Sequence, residues 1–77
     1  MTKLPLLSAS ELEKIALRLG FVKVRQRGSH ARYKHPDGRA TVIPHHSGED
    51  IGPGLLQKIL DDLKLSRVEF IQVYRQL

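Results

Sequence analysis

Residues 21–44 read "FVKVRQRGSHARYKHPDGRATVIP", and this stretch decides the fold of the 77-residue chain. In its first part, Val22 and Val24 alternate with basic residues, which is the period of a half-buried strand with one apolar and one basic face. The "GS" at 28–29 and the "PDG" at 36–38 are turn sequences. Pro44 ends the last part, because proline cannot donate to a strand ladder. The stretch therefore predicts three antiparallel strands joined by two short connections.

A helix is predicted before the strands. Ser8 and Glu11 have the spacing of a capping box, in which each side chain satisfies the backbone amide of the other. Apolar residues then recur at the spacing of one helical face, and Gly20 can take the left-handed conformation that closes a helix. We expect this helix from about Ala9 to Leu19.

Two further helices are predicted after the strands. Pro53 suits the first turn of the second helix, where no amide hydrogen bond is lost. Ser66 and Glu69 repeat the capping-box spacing and begin a short last helix. The side chains predicted to face inward are Leu55, Leu56, Ile59, Leu60 and Leu63 in the second helix, and Val68, Ile71 and Tyr74 in the last.

The predicted element order is α-β-β-β-α plus a short C-terminal helix, in a single α+β domain that spans residues 1–77. A three-stranded sheet has two faces, and the helices of so short a chain can cover only one of them. The other face should stay in water and carry the basic residues. This is the architecture of double-stranded-RNA-binding (dsRBD-like) domains, which recognise RNA through its shape and phosphates. Topology alone does not determine function.

Composition excludes several classes of protein. The chain has no cysteine, so it has no disulfide and no thiolate metal site. No apolar run approaches the roughly 20 residues that span a bilayer, so no membrane association is expected. Residues 1–10 hold too short an apolar stretch for a signal peptide, which favours a cytoplasmic protein.

The charge of the chain is concentrated in one third of its length. The formal net charge is +5, and between Lys23 and Arg39 only Asp37 opposes the basic residues. The acidic residues lie mostly in the flanking segments. A local positive field of this kind indicates a polyanionic partner, such as a nucleic acid.

All four histidines fall between residues 30 and 46, but their spacing does not favour a metal site. His30 and His35 are an odd number of strand positions apart, so they should point to opposite faces. The adjacent His45 and His46 should also diverge. We therefore predict neither a metal nor any other cofactor.

His30 has two interpretations from the residues alone. It is either a solvated residue beside a turn or a general acid–base catalyst, since imidazole both accepts and donates protons near neutral pH. RNA cleavage needs little more, because the substrate supplies its own 2′-hydroxyl nucleophile and cations stabilise the transition state. Strand parity places His30 on one face with Arg32 and Lys34, and Arg25 and Arg27 of the preceding strand could lie near.

A series of short motifs resembles the HicA toxin family, also called YcfA-like. The resemblance covers about residues 8–72 and is specific as a set. The motifs are "GF" at 20–21, "RQRGSH" at 25–30, "Y" at 33, "HPDGR" at 35–39, "VIPHH" at 42–46 and "IGPGLLQKIL" at 51–60. The resemblance implies a dsRBD-like fold and an mRNA interferase of a type II toxin–antitoxin system, which a HicB-type antitoxin binds and masks.

The family motif Gly-Ser-His is matched at Gly28, Ser29 and His30, and the resemblance implies that His30 is the catalytic residue. His46 stands where the family often has a histidine, as a possible auxiliary residue whose role is open. Arg32 departs from the pattern, since this position is often apolar in the family.

The sequence is interpreted as a metal-independent endoribonuclease that binds single-stranded mRNA, free or on the ribosome. His30 is the predicted acid or base, and the antitoxin is expected to cover it and the basic face. The alternative is a non-catalytic RNA-binding module of the same fold. The predicted RNA contacts are Arg25, Arg27, Gly28, Ser29, Arg32 and Lys34.

Overall fold

Residues 3–77, which the computed structural model describes, form three antiparallel strands and three helices. The strand order is β1-β2-β3. The α+β order predicted from the sequence is confirmed. Residues 1 and 2, which belong to the segment predicted not to be a signal peptide, lie outside the described residues. In chain order the elements are α1 (Ala9–Arg18), β1 (Val22–Arg27), β2 (His30–Lys34), β3 (Ala40–Pro44), α2 (Pro53–Leu63) and α3 (Arg67–Arg75).

Both predicted capping boxes are formed. Glu11 N donates to Ser8 Oγ at 3.2 Å and Ser8 N donates to Glu11 Oε1 at 2.9 Å, while Ser66 and Glu69 make the same pair of bonds before α3. Each box satisfies amides that the first helical turn leaves without partners. After α1, Gly20 has φ +99°, and a Cβ there would lie 3.0 Å from Nε2 of His35. The backbone conformation therefore favours glycine, and a larger residue would also press on the His35 ring.

The core lies between one face of the sheet and the helices. Ala31 and Tyr33 of β2 alternate with exposed residues, and so do Thr41 and Ile43 of β3, so these four side chains share the buried face. Here the buried face that alternates along the strands packs against the apolar faces of α1 and α2. The helical members of the core are Ala9, Leu12, Ile15, Ala16, Leu56, Ile59, Leu60, Leu63 and Phe70.

The predicted face assignment of β1 is wrong for residues 22–24, whereas Arg25 and Arg27 lie on the open face as predicted. Val22 and Val24 are 57% and 50% exposed, and Lys23, rather than a valine, lies on the helix side opposite Tyr33. A bulge follows between Lys23 and Arg25, where the extra residue reverses the parity of the rest of the strand. Because of the bulge, Arg25 lies opposite Arg32 on the open face of the sheet.

The predicted inward faces of the last two helices need smaller corrections. In α2, the buried stripe is confirmed except that Leu55 is 38% exposed. In α3, Phe70 is the buried residue, whereas Val68 is exposed and Ile71 and Tyr74 are only partly buried. The spacing of apolar residues alone did not identify Phe70 as the residue that α3 buries. None of the helices within residues 3–77 is long and apolar enough to cross a membrane.

Candidate active site

His30 is the first residue of β2 and directly follows a two-residue hairpin turn. Of the two turn residues, Gly28 has φ +55° and Ser29 has a negative φ, as a type II′ hairpin turn requires. The ring of His30 is exposed on the open face of the sheet. Its nearest aromatic neighbour is His46, with ring centroids 6.4 Å apart and planes at 86°. The structure therefore brings these two predicted site residues together.

The strand parity predicted for β2 holds, and the predicted cations lie on the same face of the sheet as His30. Arg32 and Lys34 are exposed on the same face, and across the β1–β2 ladder Arg25 lies opposite Arg32 and Arg27 opposite His30. We call Arg25, Arg27, Arg32 and Lys34 the basic face. Among the described residues, none of these four cations has an ion-pair or hydrogen-bond partner. Like charges placed directly opposite each other are unfavourable, so this surface suits an anion.

A cleft of about 530 Å³ continues from His30 along β3 towards α2. Val42 and Pro44 of β3 and Leu55 of α2 line it. Arg32 also lines it, so the cleft adjoins the basic face. Sequence reasoning missed this cleft, because it depends on where α2 packs beside the edge of the sheet.

The far end of the cleft is polar. Thr41 Oγ1 donates to Asp62 Oδ2 at 3.0 Å, and the Lys58 ammonium lies 3.7 Å from the same carboxylate oxygen. Thr41 is buried, and the side chain of Asp62 is 31% exposed. The hydrogen bond to Thr41 therefore fixes a partly buried carboxylate inside the cleft.

Behind the sheet, a polar cluster joins Glu13, Lys23, Tyr33 and His45. The Tyr33 hydroxyl donates to Glu13 Oε2 and lies 2.9 Å from Nε2 of His45, while Lys23 Nζ is 3.1 Å from the same Glu13 oxygen. The Tyr33 hydrogen bond, together with Lys23 and His45, lowers the pKa of Glu13. Burial and the Glu13 carboxylate raise the pKa of Tyr33, so the phenol stays neutral.

This helix-side cluster is tied to the β1–β2 turn. His45 N donates to Ser29 O at 2.6 Å, and the next residue, His46, lies against His30. The cluster thus holds the segment that carries His46. The sequence contained one usable signal: strand parity turns Tyr33 away from the basic face, and a buried tyrosine hydroxyl usually has a partner. Nothing in the sequence identified Glu13 as that partner.

The remaining histidine, His35, belongs to the β2–β3 turn. Its ring packs against Phe21 at 5.1 Å, its Nδ1 lies 2.9 Å from Asp37 and its Nε2 lies 3.2 Å from Leu19 O. As predicted, His35 flanks the turn, and His45 and His46 diverge to opposite sides of the sheet. Within residues 3–77, no three histidine, aspartate or glutamate side chains cluster as a metal site would require.

Fold and site together define a small basic α+β protein with an exposed histidine pair on the open face of its sheet. Residues 9–65, from α1 through α2, match the family described as HicA toxin of bacterial toxin-antitoxin. The chain belongs to the HicA toxin family, as its motifs predicted. It is thus a toxin of a toxin–antitoxin system, and membership implies an antitoxin partner. A search of curated proteins finds no match.

Proposed function

We propose that this toxin is a metal-independent endoribonuclease that cleaves mRNA and so inhibits translation. The observation that carries the proposal is the position of His30, exposed beside His46 on a sheet face with four cations that have no partners among the described residues. An imidazole supplies proton transfer, and the cations supply phosphate binding and stabilisation of the transition state. Because mRNA is its proposed substrate, the toxin acts in the cytoplasm.

The proposed reaction needs two proton transfers at one phosphodiester. A base takes the proton of the 2′-hydroxyl, the O2′–P bond forms, the P–O5′ bond breaks, and an acid protonates the leaving 5′ oxygen. The products are a 2′,3′-cyclic phosphate and a 5′-hydroxyl. His30 acts as acid or base in this scheme, and His46 is the auxiliary residue for the other transfer, since both rings can reach one phosphate from 6.4 Å apart.

The basic face holds the strand during this reaction. Arg25, Arg27, Arg32 and Lys34 contact phosphates, and the backbone of Gly28 and Ser29 lets the strand approach His30 closely. A cation without a partner inside the protein breaks no existing ion pair when it binds a phosphate, which supports this assignment. The antitoxin, which we propose is of HicB type, neutralises the toxin by presenting an acidic or apolar surface over His30 and these cations.

The test is to express the protein without its antitoxin and to score growth and mRNA integrity for wild type and His30→Ala. We expect growth arrest and mRNA cleavage with the wild type, and growth with the variant at equal protein level. In vitro, cleavage in EDTA should fall about 10²- to 10⁴-fold in the variant, the usual contribution of an acid–base group. An oligonucleotide with a single 2′-deoxy residue at the cleaved position should resist the wild type.

His35→Gln is the matched control, because His35 lies at the turn, away from the open face. It should leave cleavage unchanged once its folding is verified by thermal melting. Arrest by His30→Ala equal to that of wild type would show that His30 is not the catalyst. RNA binding without cleavage by the wild type would instead favour the non-catalytic RNA-binding module.

A further inference from the structure

The cleft beside His30 takes no part in the proposed proton transfers, yet it opens onto the same surface. It runs along β3 from the His30–Pro44 pair to the hydrogen bond between Thr41 and Asp62. The two ends are three residue steps apart along the strand, a length of roughly 10 Å, which is comparable with one nucleotide. We propose that the cleft is a base-binding subsite that takes one base of the RNA strand, guanine by preference. This inference rests on the proposed function.

The lining of the cleft fits a nucleobase attached to a strand on the basic face. Val42 and Leu55 are apolar yet 40% and 38% exposed, and they border the cleft from β3 and α2. Its volume of about 530 Å³ lies within the range of small-molecule sites, which combine apolar walls with a few polar groups. Arg32 at the rim offers a guanidinium plane for stacking, as single-stranded RNA readers use. A base can therefore enter while its phosphate stays among the cations.

Asp62 determines which base fits. Its Oδ2 accepts from Thr41, whereas Oδ1 accepts no hydrogen bond from any residue in the described part of the chain. A carboxylate only accepts, so it selects bases that present N–H donors. Guanine presents two adjacent donors, N1–H and the 2-amino group, of which one matches Oδ1 and the other the second lone pair of Oδ2, which Thr41 does not use. Adenine and cytosine present a single amino group beside an acceptor, and uracil presents one N–H between two carbonyls.

The binding test uses the His30→Ala protein, which should not cleave RNA. We would titrate it with the 3′-monophosphates of guanosine, adenosine, cytidine and uridine, and follow the methyl resonances of Val42 and Leu55 by NMR. Guanosine 3′-monophosphate should move both resonances and bind about tenfold more tightly than the other three, as hydrogen bonds to a charged group allow. Asp62→Asn in the same background should remove this preference, since the amide still accepts from Thr41 but presents a donor to the base.

Asp61→Asn is the matched control, because the neighbouring carboxylate is exposed and bonds to Gln57 outside the cleft. It should bind like the parent. Leu55→Trp, at a partly exposed position, should fill the cleft and abolish the shift of the Val42 methyl resonances while the protein stays folded. The subsite is overturned if no nucleotide moves the two resonances. It is also overturned if Asp62→Asn and Asp61→Asn show the same relative affinities for the four nucleotides.

A cleavage test separates this inference from the proposed reaction. Wild type should cut a randomised RNA with guanine enriched next to the scissile phosphate, and Asp62→Asn should reduce that enrichment about tenfold. If both proteins cut with the same base profile, the reaction stands and the subsite fails. If wild type cuts no RNA but guanosine 3′-monophosphate still moves Val42 and Leu55, the reaction fails and the subsite stands.

Discussion

The two faces of the sheet treat their charged groups in opposite ways. On the helix side, Lys23 and His45 lie against Glu13, and Tyr33 adds a hydrogen bond to the same carboxylate. On the open side, the cations of the basic face have no partner among the described residues, and two of them lie opposite each other across the ladder. The charges on the helix side are thus paired within the fold, whereas those of the basic face are available for the RNA that we propose as the substrate.

The difference arises from single steps along the backbone. Tyr33 and Lys34 are neighbours in β2, yet the first is fully buried and the second is exposed. In β1, the bulge after Lys23 sends Lys23 to the helix side and Arg25 to the open side. A change of one position in register would therefore exchange a charge on the helix side for one on the open face.

The largest expected effect comes from removing a side chain on the buried face. Tyr33→Ala should lower the free energy of unfolding by about 3–5 kcal/mol, because it leaves a cavity in a small core. Lys34→Ala, one residue away on the open face, should change it by less than about 0.5 kcal/mol. Urea denaturation of both variants measures this. Similar losses in the two would contradict the assignment of faces.

Sequence patterns predicted most of this arrangement, because the turns and periods of β2, β3 and the helices are local properties. The face of His30 followed from parity in β2, and both capping boxes followed from spacing. The face of β1 could not be predicted in this way. "VKVRQR" alternates regularly, and a bulge at Val24 leaves no mark in that alternation.

The site was predictable only in part, because some of its contacts join distant positions. Glu13, Tyr33 and His45 lie on three different elements or loops, and only tertiary packing brings them together. The cleft likewise needs α2 to lie beside β3, so Asp62 had no reason to be selected from the sequence. Local periodicity identifies which face a residue occupies, but not which residue it meets there.

The second expected effect concerns the open face. The double variant Arg25→Gln/Arg32→Gln should weaken binding of single-stranded RNA. With two fewer phosphate contacts, binding releases fewer counterions from the RNA. The slope of log affinity against log salt should become shallower by about 0.7 for each cation removed. Filter binding at several salt concentrations measures the slope. Lys14→Gln, an exposed α1 residue outside the basic face, should leave it unchanged, and an equal effect of Lys14→Gln would show that only net charge matters.

A smaller effect is expected when only the Tyr33 hydroxyl is removed. Tyr33→Phe keeps the buried ring but removes the hydrogen bonds to Glu13 and His45. The free energy of unfolding should fall by about 1–2 kcal/mol, as for the loss of a partly buried hydrogen bond. Thermal melting with a matched Tyr74→Phe control measures this, since Tyr74 is only partly buried and packs by its ring against Phe70. Equal effects would show that the hydroxyl of Tyr33 adds nothing.

The smallest expected effect is the pH dependence of the same cluster. The Tyr33 hydrogen bond and the nearby Lys23 and His45 lower the pKa of Glu13 in the folded protein, so the unfolded chain binds the proton more readily. The contribution of Glu13 is therefore complete above its ordinary pKa of 4.5 and is lost as the pH falls below that value. Its size should be on the order of 1 kcal/mol or less, since the carboxylate is partly exposed.

The raised pKa of Tyr33 predicts the opposite behaviour at high pH. The folded state keeps this phenol protonated, so stability should fall as the pH rises above 10.0, the ordinary pKa of tyrosine, where the unfolded chain ionises. Melting curves of wild type, Glu13→Gln and Tyr33→Phe at pH 2–11 test both the acid and the alkaline pH dependence. The difference between wild type and Glu13→Gln should shrink below about pH 4.5, and that between wild type and Tyr33→Phe above about pH 10. Differences that stay constant with pH would show that the cluster is held by packing rather than by its charges.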